Sequence, residues 1–305
     1  MPSHTASASS LATLALLLFS STTAAQLVGC DAVGCPVDEY RNAQCEVGNA
    51  TLKAVGVANV STSLDTQPLT WTLGLQELKT PNVNVSLDRN YYLGIPSSVQ
   101  LNNTAGCAFF FEGVSANLTA SKGDDENFTC SRALAESCVS DLISQAESNY
   151  NDIGKDSKGG ADLCNKLRDS LVDQPPKSCN GLQGSWGAIT AKSLTGAPAP
   201  QPVDQAKCHP TTGKDYNMFL VQSTRRENIG REYGELAPVV NAVTPVMTIF
   251  AKDSKADVKM TCLRIVESKA NQTVDTPTQK GSASSLASPT VFLSALLAVT
   301  YLVAL

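Results

Sequence analysis

Residues Leu69 to Leu75 read Leu-Thr-Trp-Thr-Leu-Gly-Leu, and strict alternation of this kind leaves the backbone little choice. Side chains on a strand point to opposite faces in turn. Leu69, Trp71, Leu73 and Leu75 therefore share one face, and a slip of one residue would expose all four. The pattern predicts a half-buried strand of an antiparallel sheet. Related runs flank it. Leu52 to Val60 is β-rich around Gly56, and Val83, Val85 and Leu87 alternate with Asn82, Asn84 and Ser86, which sends Asn84 to solvent. Tyr91–Ile95 and Cys107–Val114 supply two more strands. Within the second, Phe110 must oppose Phe109 and Phe111, so one side of that strand needs a cover. Trp71 falls on the apolar parity and belongs to the core.

The hydrophobic period then changes. Leu134, Cys138, Leu142 and Ala146 recur at steps of four, predicting an amphipathic helix over 131–148. Leu163, Leu167 and Leu171 predict a second helix from Ala161, which Pro175-Pro176 stops. After Trp186 the pattern is loop-like. Gly196 to Pro202 is an extended, proline-rich crossover, and Arg225 to Glu235 reads as an exposed charged loop. Tyr216–Gln222 is a strand, and Val246–Ala251 with Val258–Val266 reads as a hairpin. The expected fold is β-rich α+β, an antiparallel sheet or sandwich with a two-helix element around 131–172.

Ten cysteines punctuate this pattern: Cys30, Cys35, Cys45, Cys107, Cys130, Cys138, Cys164, Cys179, Cys208 and Cys262. An even count in an oxidising compartment reads as five disulfides, although ten cysteines allow hundreds of pairings. The ends of the chain specify that compartment. Leu11–Phe19 is apolar and Thr23 to Ala25 is small, as in a cleaved signal peptide over residues 1–25. At the other end come the small triplet Gly281-Ser282-Ala283, a polar spacer, and the uncharged tail Val291–Leu305. That order is the signal for a glycosylphosphatidylinositol (GPI) anchor at Gly281 or Ser282, with 282–305 removed. The mature ectodomain then spans 26–266, with β-rich parts at 46–120 and 184–266 around the helices. A short tether over 267–281 holds it to the outer leaflet. About 256 mature residues can bury a sizeable core.

Seven Asn-X-Ser/Thr sequons fit secretion: Asn49, Asn59, Asn84, Asn102, Asn117, Asn127 and Asn271. Six lie before residue 128, so the expected working face for a cell-wall polysaccharide or surface-protein partner is the sequon-free region 128–270. The terminal signals, the ten cysteines and the sequons together resemble the cysteine-rich, GPI-anchored surface glycoproteins of filamentous fungi. The resemblance covers a layout and carries no site residues. It implies display on the extracellular face of the plasma membrane or in the cell wall.

The chain's charge and motifs restrict what chemistry it does. A net charge of −5 argues against nucleic acid. No Cys-X-X-Cys occurs, so a zinc site is not expected. No Gly-X-Ser-X-Gly occurs, and Gly184-Ser185-Trp186-Gly187 is one residue short of it. His209 sits between Cys208 and Pro210, as a loop residue does. Asp124-Asp125-Glu126 is a solvated acidic turn, and the loop 149–162 lacks the ligand positions of a calcium hand. Trp186, between glycines, is a candidate exposed platform for sugar stacking. No catalytic, cofactor-binding or metal-binding residue is assigned. The expected role is non-enzymatic: binding, adhesion or wall organisation. The alternative is a glycan hydrolase or transglycosidase with paired carboxylates.

Overall fold

The computed structural model describes residues 45–78, 84–115, 118, 129–154, 160–180, 182, 186–204, 208, 210–211, 215–252 and 255–265. Ten strands and five helices follow in chain order. They are β1 (Cys45–Val47), β2 (Ala50–Leu52), β3 (Ala54–Val60), β4 (Leu69–Leu78), β5 (Val85–Pro96) and β6 (Ala105–Phe111). The short helices α1 (Glu112–Ser115) and α2 (Cys130–Leu134) precede the longer α3 (Glu136–Ile153) and α4 (Gly160–Asp173). Then come β7 (Ile189–Ser193), β8 (Tyr216–Ile229), α5 (Tyr233–Val240), β9 (Thr244–Lys252) and β10 (Lys255–Leu263).

Two four-stranded antiparallel sheets face each other, ordered β3-β4-β5-β8 and β10-β9-β6-β7. The alternation of β4 sets the first inner face: Leu69, Trp71, Leu73 and Leu75 meet Tyr91, Leu93 and Ile95 of β5. From the second sheet Ala108, Phe110, Val246 and Phe250 complete this core. Trp71 packs edge-on to Phe110 with centroids 5.7 Å apart, and its indole N–H donates to Thr248 Oγ1 across the sandwich at 2.8 Å. That contact joins the sheets through the apolar core, where an unpaired indole N–H would be costly.

The outer face of the second sheet is apolar as well, and the helices cover it. Phe109, Phe111, Met247, Ile249 and Val258 pack against Leu134, Leu142, Leu163, Leu167 and Leu171. All three phenylalanines of the triplet are therefore buried on two sides of one strand. On the outer face of the first sheet a smaller cluster joins Val55, Tyr92 and Met218 to the β1–β2 hairpin. Val47 and Ala50 flank the hairpin turn Gly48-Asn49. Gly48, at φ +56°, takes the first central position, as a type II′ turn requires.

Four disulfides fasten these covers. Cys107–Cys164 joins β6 to α4, and Cys130–Cys262 joins α2 to β10. Cys138–Cys179 joins α3 to the turn at Lys177–Cys179, and Cys45–Cys208 closes the hairpin side. Cys30 and Cys35 lie outside the described residues.

Several expectations change in detail. The helix expected over 131–148 is two helices, α2 and α3, broken at Ala135, whose φ is +71°. The two runs around 83–87 and 91–95 are one twelve-residue strand, β5. Arg225 and Arg226 lie on strand β8 and not in a loop. The outer face of β5 is polar there, so a polar partner strand suits it: Asp88 and Asn90 stand opposite Arg225 and Ser223. β8 continues to Ile229, and after a short connection the last three residues of that segment open α5.

Candidate functional site

The two long edges of the sandwich differ. At one edge the chain after β10 crosses the inner face of β3, where Gly56 makes room for the Arg264 carbonyl. At the other edge β7 and β8 face each other as the terminal strands of their sheets. Glu112, just past β6, spans this gap. Its Oε2 accepts from Thr190 Oγ1 of β7 at 3.1 Å, and its Oε1 accepts from Gln222 Nε2 of β8 at 2.9 Å.

Two depressions lie along this edge. One is an apolar groove of about 250 Å³ lined by Leu93, Ile95, Leu101, Leu194, Phe219 and Val221. The other is a polar cleft of about 530 Å³, within the range of small-molecule sites. Arg89, Tyr91, Glu112, Ser115, Thr224 and Arg226 line it, and Pro238 and Val239 of α5 form one wall.

Arg89 organises the cleft. It keeps the inward parity of Leu87 and Tyr91 on β5, and only 6% or less of each of the three is exposed. Its Nη1 donates to the Val239 carbonyl at 3.0 Å, and its Nη2 to the Ala242 carbonyl at 2.8 Å. Val239 lies in the last turn of α5, where the helix dipole favours a cation, and Ala242 just beyond its end. Nη2 also donates to Thr244 Oγ1 at 3.1 Å. That oxygen is a hub: Tyr91 Oη and Ser115 Oγ each bond to it at 2.9 Å. Every acceptor of Arg89 is uncharged, and its buried Nε has no partner.

On the opposite face of the same strands Arg225 makes a two-point contact with Asp88, at 2.7 and 2.9 Å. That hydrogen bonding holds the guanidinium above its usual pKa. Arg226 points the other way, opposite Leu87 in register, and has no ion pair among the described residues. Lys192 of β7, opposite Ala108, also stands on the inner face.

The glycosylation sites fall in different settings. Asn49 is exposed in the β1–β2 turn, and Asn59 is half-buried on β3. Asn84 is half-buried, and its side-chain N–H donates to Asn228 Oδ1 at 2.8 Å, so it does not simply face solvent. Asn102 is exposed on the rim of the apolar groove. Asn117, Asn127, Asn271, Gly281 and Ser282 lie outside the described residues, as do His209 and the acidic run 124–126. Trp186 is no open platform: it packs edge-on to Phe111 at 5.5 Å and donates to the Leu171 carbonyl at 2.9 Å.

The region 128–270 contributes to both sheets and to the helical layer, so it is not one face. Sequence reasoning missed Arg89 and Glu112. Arg89 sits in the polar triplet Asp88-Arg89-Asn90, which reads as a break between strands; its parity with Leu87 and Tyr91 was the available signal. Among the described residues no group of three or more His, Cys, Asp or Glu could hold a metal ion, and no helix is long and apolar enough to cross a membrane. No protein-family model, no curated protein and no solved structure matches this chain.

Proposed function

We propose that the chain is an extracellular glycoprotein held to the outer leaflet by a GPI anchor at Gly281 or Ser282, with a non-enzymatic binding role. The cleft between β7 and β8 is its ligand site, with a wall polysaccharide or a surface protein as partner. The observation that carries this reading is the asymmetry of the sandwich. One edge is sealed by backbone at Gly56, and the other holds a cleft braced by Glu112 and Arg89. A preorganised polar cavity lowers the ordering cost of binding. Disulfides that fasten the outer layers to the sheets suit an oxidising compartment. Among the described residues Glu112 is the single carboxylate lining the cleft, and both its oxygens are already accepting hydrogen bonds. Two-carboxylate glycan hydrolysis needs a pair, which favours binding over hydrolysis.

The test uses the full chain expressed in a eukaryotic secretory host and incubated with insoluble β-glucan, chitin, mannan and an acidic wall polysaccharide bearing phosphate or uronate groups. Retention on one polymer, without new reducing ends, is expected. Thr224→Trp, which fills the cleft from β8, should abolish retention while leaving the melting temperature within a few degrees. Release of new reducing ends, or full retention of the Thr224→Trp variant, would overturn the reading. Display is tested separately: a phosphatidylinositol-specific phospholipase should free the protein from cells. Peptides beyond Leu293 in the mature protein would refute the anchor.

A further inference from the structure

Charge in the cleft is distributed against the grain of the whole molecule. The chain carries −5 overall, yet the open edge of its sandwich gathers cations. Arg89 is 5% exposed, and among the described residues only carbonyls and a hydroxyl accept from it, so no carboxylate there cancels its charge. Arg226, on the same inner face two positions beyond Thr224, makes no ion pair among the described residues. Lys192 of β7 keeps the same inward parity at this edge, although it does not line the cleft. Among the described residues that line the cleft, Glu112 alone stands against them. Arg225, the remaining cation at the rim, is committed to Asp88 on the far side of the sheet.

A buried guanidinium surrounded only by dipoles is costly to desolvate, and the fold offsets that cost with three hydrogen bonds. Its Nε–H is left over, buried and without an acceptor. In a cavity with low-dielectric walls an uncompensated charge acts over a longer range than at a surface. Hydroxyls of Tyr91, Ser115 and Thr224 line the same space.

Resting on the reading of this cleft as the binding site, we infer that the group it takes is an oxyanion, the carboxylate of a sugar acid or the phosphate of a sugar phosphate. Arg226 meets the anion directly, and its planar fork suits both geometries. Arg89 supplies charge from behind and holds the α5 wall through Val239 and Ala242. The sugar hydroxyls find partners in the lining hydroxyls.

The experiment is calorimetric titration of the full chain with glucuronate, glucose 6-phosphate and neutral glucose. At least one acid should bind, at least ten-fold more tightly than glucose, and its affinity should fall as sodium chloride is raised, because screening weakens charge attraction. Binding of glucuronate alone, of the phosphate alone or of both supports the inference and identifies the anion. Arg226→Gln, at an exposed position with no ion pair among the described residues, should weaken that binding at least ten-fold with no change in melting temperature. Lys166→Gln, on α4 in the helical layer, should leave it unchanged. Glucose binding as tightly as the acids, or an Arg226→Gln variant with undiminished affinity, overturns the anionic class while leaving a binding cleft in place. If none of the three binds, this inference falls, whereas the binding role itself stands or falls with polymer retention and the Thr224→Trp variant.

Discussion

The carbonyl oxygen of Arg264 lies where a side chain on Gly56 would begin: a Cβ built there would sit 1.7 Å from it. No rotamer change relieves a clash between two backbones, so the chain after β10 can cross β3 only over a glycine. Gly56→Ala should cost ~3 kcal/mol or more, through displacement of 264–265 and opening of the sealed edge. Urea unfolding monitored by tryptophan fluorescence measures it. A loss under ~0.5 kcal/mol would show that the crossing relaxes freely.

Ala135 separates α2 from α3 with φ +71° and ψ 146°, a conformation that L residues rarely adopt. Strain of this kind costs on the order of 1–3 kcal/mol. Ala135→Gly should therefore stabilise the protein by ~1 kcal/mol, in contrast to the usual loss from glycine near a helix. A lower unfolding midpoint in the variant would contradict this.

Burial pushes the Tyr92 phenol above its ordinary pKa of 10.0. The folded state therefore holds that proton more tightly than the unfolded chain. Its contribution is fully present below pH 10 and is lost as pH rises from there toward the folded pKa. Stability should fall in that alkaline window by up to ~1.4 kcal/mol per pH unit from this group. Tyr92→Phe should flatten the fall, and denaturant midpoints between pH 9 and 11.5 test it. Parallel curves for both proteins would remove Tyr92 from the account.

Non-reducing peptide mapping should recover the pairs 45–208, 107–164, 130–262 and 138–179 and find no free thiol. Replacing Cys107 and Cys164 together by serine should cost ~2–4 kcal/mol, because it frees α4 from β6. Recovery of any crossed pair among these eight cysteines would contradict the layer arrangement.

The legible parts of this fold were those where one face decided everything. β4 alternates because one side faces a core and the other a thin cover, and α3 and α4 repeat at four because only one stripe of each is buried. Less legible were segments whose partner lies far away in sequence. β7 is five residues, Ile-Thr-Ala-Lys-Ser, whose alternation is too short to read as a strand on its own; β6 makes it one. α5 contains Pro238, a helix breaker in a sequence reading, yet tolerated within this eight-residue helix, whose Val239 carbonyl is met by Arg89. The second half of β8, from Arg225, reads as a charged loop because its match is the polar face of β5. The cleft was hidden for the same reason. Arg89 and Glu112 are 23 positions apart in the sequence (112 − 89), and neither belongs to a motif. Only the pairing of sheets brings them to one edge.

None of the four described disulfides joins one sheet to the other; they fasten covers to sheets and close long loops. That placement limits how far the molecule can be drawn out by its ends. Cys45 is bonded to Cys208, so a tension applied near residues 45 and 262 bypasses the chain from 45 to 130. Cys138–Cys179 and Cys130–Cys262 shorten the rest: the load runs from Cys208 back to Cys179, across to Cys138, on to Cys130 and across to Cys262, roughly 37 residues or ~120 Å at full extension. At that limit β8, α5 and β9 still hold slack, and β3 to β6 hang outside the line of force. A hard pull would lengthen such a protein by a bounded amount, and it could re-form once the load was released.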